Sequence, residues 1–335
     1  MHYAKVQKEH AEKLRRVLAR NGFLANNISA VHSNSYVLFP VTIATATIKK
    51  LISQNGGSLV EKGRTKFKSM GSATLPPGVA RGYDVLGNIA IIEADNPTSR
   101  FARKYANIIM TSSKRITTVL AKAGPVSGAY RTRKLLHVAG RRTYIADFLE
   151  NGCRFVLDVR KAFFSVRLSF ERQRVSALSK GPERVIVFFA GVGPFAIELA
   201  KKNPKAEVVA IELNKYAFKM MKANVELNKI KNIEPICGDV RKISGKYRGF
   251  ADRIIMPLPK ESHTFIKYAV LAAKRSATIH IYMFVGRSKP AKEGMRRIRS
   301  ELGNGCSLRL LRWRKVREYS HNEIEIAMDL RISKN

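Results

Sequence analysis

The residues best suited to chemistry stand at four places where an apolar run stops. "VIVFF" runs into Ala190-Gly191-Val192-Gly193-Pro194, "VVAI" into Glu212, "PIC" into Gly238-Asp239, and "RIIM" into Pro257-Leu258-Pro259-Lys260. Glycines let a backbone approach a ligand closely, and Pro194 suits a first helical turn. Alone, such a turn serves NAD, a nucleotide or mere packing. A carboxylate roughly twenty residues further on, as Glu212 is, can accept both hydroxyls of a ribose. Asp239 can accept from an adenine amino group, with the Val240 amide beside it. "GVGPFA" puts Ala196 where a dinucleotide fingerprint has its third glycine. Each feature has a plainer reading, Glu212 as a surface acid among them. Taken together, the four fit S-adenosylmethionine and not a dehydrogenase cofactor.

The elements that must hold these residues follow from the hydrophobic pattern. Strands are expected at 184–189, 207–211, 233–236, 252–256 and 278–284, and helices at 194–202, 215–228, 261–273 and 291–302. Short β-rich runs between helical runs predict an α/β, Rossmann-like domain. Its sheet should be doubly wound and mostly parallel, with ligands beyond the carboxyl ends of the strands. The domain is expected over 151–335. It opens with the extended "RFVLDVRKAFFSVRL" and the helical "FERQRVSALS", and closes with "NEIEIAMDLRI", which alternates like an edge or hairpin strand. Two small α+β modules precede it. One covers 1–58 and ends at "SQNGGS", read as a flexible break. The other covers 83–150, with "YDVLGNIAIIEA" as two extended segments, a helix over 99–111 and "RITTVLAK" as strand or helix. Residues 59–82 read as a basic linker.

Charge narrows the partner. Lys+Arg number 62 against 25 Asp+Glu, a formal +37. An excess this large repels itself unless a polyanion covers it, and nucleic acid leads the field. No amphipathic terminal helix or lipidation motif points to a membrane. Cys153, Cys237 and Cys306 lie far apart with no CxxC pair, which argues against zinc and a disulfide framework and fits a reducing cytoplasm. "MHYAKVQKEH" is no secretory signal, and "VIVFFAGVGPFAIELA" is too interrupted to span a bilayer. A soluble, cytoplasmic, monomeric RNA-binding protein without metal is expected.

In "YDVLGNIAII", "YRTRKLLHVAG", "DVRKAFFSVRLSFER", "FAGVGPFAI", "AIELN", "GDVR" and "ADRIIMPLPK", in that order, the chain resembles the archaeal and eukaryotic tRNA (guanine-37 N1)-methyltransferases. "KVQKEHAEKLRRVLARNGFL" is similar to the small first domain of the archaeal members, which touches the tRNA elbow. The resemblance implies a class I methyltransferase domain preceded by two RNA-binding α+β domains. The implied cofactor is S-adenosylmethionine, and the implied partner is tRNA, held at elbow and anticodon loop. Guanine N1 carries a proton and is a poor nucleophile at neutral pH. Its methylation therefore wants a general base near N1 and a cation near O6. By the motif match the base is Glu171, the cation is Arg131, and Arg172 contacts the cofactor. The remaining cofactor contacts fall on Phe189, Gly191, Gly193, Glu212, Leu213, Asp239, Val240 and Pro257. Without the match, Glu171 and Arg172 read as a solvated helix pair, and Arg131 and Arg133 as phosphate contacts.

Two positions depart from the family pattern. Phe188 stands where an acidic residue is usual, which puts one cofactor contact in doubt. Pro257 replaces an Asn that helps hold the guanine, and it can offer only a carbonyl. Pro-x-Pro-Lys at this turn is similar to an archaeal subgroup that also methylates carbon 7 of the tricyclic wyosine precursor. That gives a second activity, on 4-demethylwyosine at position 37. A decayed fold that only binds RNA is the reading of another class. His137 reads as packed or hydrogen-bonded, and Trp313 as core or rim. A ribosomal RNA or exocyclic-amine methyltransferase would favour a polar Asn/Asp-Pro-Pro-aromatic turn, which this chain lacks.

Overall fold

The computed structural model describes residues 2–21, 23, 31–32, 35–41, 46–61, 79–124, 128, 132–302 and 306–334. The chain divides into two compact units, Met1–Thr74 and Leu75–Asn335. Among the described residues no helix is long and apolar enough to cross a membrane.

The first unit contains β1 (His2–Gln7), α1 (Lys8–Arg20), β2 (Val31–His32), β3 (Tyr36–Pro40), α2 (Ala46–Ser53) and β4 (Gly57–Glu61). Its sheet runs β2-β3-β1-β4. Leu14 and Leu18, one turn apart on α1, pack with Ala4, Val6, Val37 and Phe39. Ile48 and Ile52 of α2 join them, although no element was expected there. "SQNGGS" is a turn, and not the flexible break expected. Gly56 takes a φ of 73° and Gly57 starts β4, which pairs with β1. A Cβ on Gly57 would come within 2.9 Å of both Ile52 Cγ2 and the Lys5 carbonyl oxygen, so only glycine packs there. Most of the expected basic linker, 62–78, lies outside the described residues.

The second unit opens with β5 (Val79–Leu86), β6 (Ile89–Ala94), α3 (Arg100–Ser112), β7 (Thr118–Lys122) and β8 (Leu135–Gly140) in a sheet of that strand order. α3 starts where Ser99 caps the Ala102 amide, and it carries the chain between the parallel strands β6 and β7. "RITTVLAK" therefore contributes a strand. A hairpin follows, β9 (Ile145–Glu150) and β10 (Cys153–Asp158), turning at Asn151-Gly152 with both φ positive.

The largest sheet has the order β13-β12-β11-β14-β15-β17-β16. Its strands are β11 (Glu183–Phe188), β12 (Ala206–Glu212), β13 (Ile233–Cys237), β14 (Ala251–Met256), β15 (Ala273–Gly286), β16 (Cys306–Glu318) and β17 (Glu323–Lys334). The helices are α4 (Ser169–Leu178), α5 (Pro194–Lys202), α6 (Lys215–Leu227), α7 (Val240–Ile243), α8 (Ile266–Ala272) and α9 (Pro290–Arg299). Strands β11 to β15 pair in parallel, and β17 and β16 add on antiparallel. Along β11, Val185 and Val187 enter the core on one face, Ile186 and Phe188 that on the other. That is why the run reads as continuously apolar. Only the C-terminal part of the expected helix over 261–273 is α-helical. A 3-10 turn at Ser262–Phe265 comes first, and Ala273 already pairs with Ala251 in the sheet.

Candidate active site

Strand order reverses around β11, and a cleft of about 290 Å³ opens at the carboxyl ends there. Arg172, Phe189, Gly191, Glu212, Leu213, Asp239, Val240 and Pro257 all line it. Gly191 has a φ of 60°, and a Cβ added there would meet nothing nearer than the Phe163 carbonyl oxygen at 3.8 Å. The glycine thus leaves open room for a ligand. Its N–H donates to Glu212 Oε2 at 2.7 Å, while the Asn214 N–H donates to Oε1 at 2.7 Å. Each carboxylate oxygen spends one lone pair on an amide and keeps another, so a vicinal diol fits. Burial pushes the Glu212 pKa up, opposed by those amides.

Phe189, the residue after β11, holds a φ of 53° without being glycine. Strain of this kind collects at functional sites. Its ring meets Phe265 edge-on at 4.9 Å and forms an apolar wall. Asp239 caps α7 at the Arg241 amide and also takes the Arg241 guanidinium, which holds its carboxyl below the usual range. The Pro257 turn is fastened by Ser262, which is buried and whose single hydroxyl proton is shared between the carbonyls of Met256 and Leu258, 3.0 and 2.7 Å away. Nothing in the sequence marked Ser262.

Arg172 is buried at the cleft wall. It donates to both Glu150 oxygens at 2.5 and 2.8 Å and to the Ser165 carbonyl at 3.0 Å, over the Phe164 ring. Glu198, 3.4 Å from Arg172, has its pKa pushed up to about 8 by burial and by its neighbour Glu150.

Two expected residues do not line the cleft, and a third is not among the described residues. Gly193 stands at the start of α5 and is not among the residues lining the cleft; a Cβ there would meet Met221 at 2.9 Å, so the position packs tightly. Arg131 lies outside the described residues. Glu171 does not line the cleft. Successive helical residues point about 100° apart, so Arg172 faces the donor side while Glu171 turns toward β15 and β16. Glu171 Oε2 accepts from Arg174 and from the Tyr282 hydroxyl, at 3.1 Å for the latter. Oε1 is buried and accepts no hydrogen bond among the described residues. Arg314 Nε stands 3.1 Å from it, off the angle for one.

Phe188, the first departure, is fully buried in the core with Val209 and Ile254 and stays out of the cleft. His137 bonds locally, Nε2 to the Gly140 carbonyl at 3.1 Å. Trp313 is half-exposed on the edge strand β16.

A second chamber, about 370 Å³, adjoins the cleft across Phe163, Phe164 and Ser165. Arg133, Arg167, Arg317 and Tyr319 stand around it, over a floor that includes Leu86, Ile91 and Leu157. One flat, polar-edged ring system suits such a space.

Residues 147–309 match the TRM5/TYW2 methyltransferase domain, 68–143 the TYW2 N-terminal domain, and 5–48 the tRNA methyltransferase 5 N-terminal domain. The tRNA (guanine(37)-N(1))-methyltransferase Trm5b of Pyrococcus abyssi is 36% identical over 98% of both chains. The chain belongs to the TRM5/TYW2 methyltransferase family. The tRNA 4-demethylwyosine(37)-methyltransferase Taw21 of Saccharolobus solfataricus is 35% identical over 62% of this chain and 79% of its own. The crystal structure of Trm5b from Pyrococcus abyssi superposes with a TM-score of 0.71 at 34% identity, covering 99% of both chains. A complex of aTrm5 with tRNALeu gives 0.67 at 27% identity, again over 99% of each. The fold is therefore that of the class I S-adenosylmethionine methyltransferases.

Proposed function

We propose that this chain is an S-adenosylmethionine-dependent tRNA methyltransferase that methylates N1 of guanosine at position 37. The observation that carries the reading is the Gly191–Glu212 cradle: an open glycine and a buried carboxylate with free lone pairs, beside a second chamber ringed by guanidiniums. S-adenosylmethionine supplies an activated methyl group on sulfur. Glu212 holds the ribose, Asp239 and Val240 the adenine edge, and Phe189, Leu213 and Pro257 close the slot. Arg172 fixes the wall between the slot and the acceptor chamber.

Glu171 is the base in this reading. Its Oε1 makes no hydrogen bond among the described residues and pairs with Arg314 at 3.1 Å, and taking the N1 proton requires that oxygen to reach the substrate. Arg131 neutralises charge at O6. The nucleotide must leave its stack to reach these groups. The first unit takes the tRNA elbow and 83–150 helps take the anticodon loop, with 59–82 as linker and 151–335 as the catalytic domain. A cytoplasmic monomer completes the proposal.

Pro257 supports a second reading, methylation of carbon 7 of 4-demethylwyosine. It gives the slot a rigid, apolar rim without a donor, which suits a larger tricycle. Incubation with unmodified and precursor-bearing tRNA, followed by nucleoside mass spectrometry, tests both. N1-methylguanosine at 37 is expected from the first substrate. Absence of any methylated nucleoside, with S-adenosylmethionine undetectable by calorimetry, would point to a decayed RNA-binding protein instead.

A further inference from the structure

Behind Glu171 runs an unbroken line of buried and half-buried polar groups that the proposed reaction does not use. His280 and Tyr282 lie two apart on β15 and so share a face. Asp329 stands opposite His280 in the β15–β17 ladder. Arg253 donates from NH1 to His280 Nε2 at 2.6 Å, with Nε on Glu183 at 3.0 Å. Arginine can only donate. His280 Nε2 is therefore the acceptor, and Nδ1 carries the proton and donates to Asp329 Oδ1 at 2.6 Å. Asp329 also takes a two-pronged bond from Arg174, at 2.7 Å to Oδ2 and 3.0 Å to Oδ1. Arg174 spends its remaining edge on Glu171 Oε2, at 3.0 Å from Nε and 2.9 Å from NH2.

Every bond in this line has one possible direction: His280 and Arg174 both donate to Asp329, and Arg174 alone carries the line on to Glu171 Oε2. The sheet register fixes the far end, so Glu171 cannot rotate without breaking the Arg174 fork. The result is a carboxylate whose Oε2 is saturated and whose Oε1 is buried with Arg314 Nε at 3.1 Å. Burying so many charges is a poor way to gain stability, since well-packed apolar residues often do as well.

We propose that Arg174, Asp329 and His280 are positioning residues that hold the Glu171 carboxylate in one orientation for proton transfer. This rests on the reading of Glu171 as the base. The test uses the full chain with tRNA transcript and S-adenosylmethionine, comparing Glu171→Gln, Asp329→Asn and the double variant. The readouts are single-turnover methyl transfer, KM for tRNA and Kd for the donor. Asp329→Asn is expected to slow transfer about ten- to hundredfold, the size of a small misplacement of a reacting group. KM and Kd should stay near the parent values, and the double variant should be no slower than Glu171→Gln alone.

Should Asp329→Asn fail to fold, Arg174→Lys replaces it, because lysine keeps the charge but loses the fork; its expectation is the same. If Glu171→Gln is slow and Asp329→Asn is normal, the positioning line is overturned and the base stands. Multiplying defects in the double variant, or a Kd that worsens in step with the rate, overturn it as well. A normal Glu171→Gln overturns base and line together.

Discussion

Glu212→Gln isolates the donor cradle. In the parent, the two oxygens of Glu212 each accept one amide at 2.7 Å, from Gly191 and from Asn214. Glutamine offers one oxygen and one NH2, so in either orientation one amide faces a donor. The free protein then loses about 1–3 kcal/mol for a partly buried, unpaired N–H. Binding loses something further, because ribose hydroxyls meet a neutral group where a carboxylate stood. Hydrogen bonds to charged groups contribute about 1.5–3 kcal/mol, which weakens donor Kd roughly 10- to 150-fold. Isothermal calorimetry with S-adenosylmethionine measures it, and a thermal melt run beside it reports the stability term. Affinity for tRNA without donor should not move. A folded variant with Kd within about threefold of the parent, less than 1 kcal/mol, would refute the ribose assignment.

Acidity tests the same group differently. Burial raises the Glu212 pKa, so donor affinity should begin to fall, on lowering pH, before the ordinary glutamate value of 4.5 is reached. A pH series by calorimetry that stays flat down to that value contradicts this. Glu198 gives a stability prediction. Its folded pKa of about 8 lies above the ordinary 4.5, so its contribution is complete below the latter and lost as pH rises through the former. Glu198→Gln should therefore gain melting temperature relative to the parent as pH rises from about 5 to about 8, and an unchanging difference would count against a raised Glu198 pKa. At Gly87, φ is 53° and a Cβ would overlap the Asp147 carbonyl. Gly87→Ala should cost about 2–4 kcal/mol in denaturant unfolding, and a loss under about 1 kcal/mol would mean the turn can shift. Pro257→Asn should favour guanosine over the tricyclic base in product ratios, and an unchanged ratio removes Pro257 from substrate choice.

The cleft was readable because each of its corners interrupts an apolar strand with a glycine, an acid or a proline, and strand ends in a parallel sheet share one side. Glu212 and Asp239 meet Gly191 there for that reason. What escaped the reading depends on distance or direction. Arg174 and Asp329 lie 155 residues apart and meet only because β17 pairs antiparallel with β15. The divergent facing of Glu171 and Arg172, about 100° apart, follows from helical phase, which a motif match does not carry. α2 escaped because it is only 8 residues long, and β4 because its first residue is a glycine that reads as a break. Ser262 is one hydroxyl among many until the Pro257 turn is seen to hang on it.

Co-crystals with S-adenosylhomocysteine bear most directly on the site. Ribose hydroxyls on Glu212, adenine beside Asp239 and Val240, and sulfur facing the chamber of Arg133 and Arg317 are the expected result. A ligand bound elsewhere, or one whose sulfur points away from that chamber, would contradict the arrangement proposed for donor and acceptor.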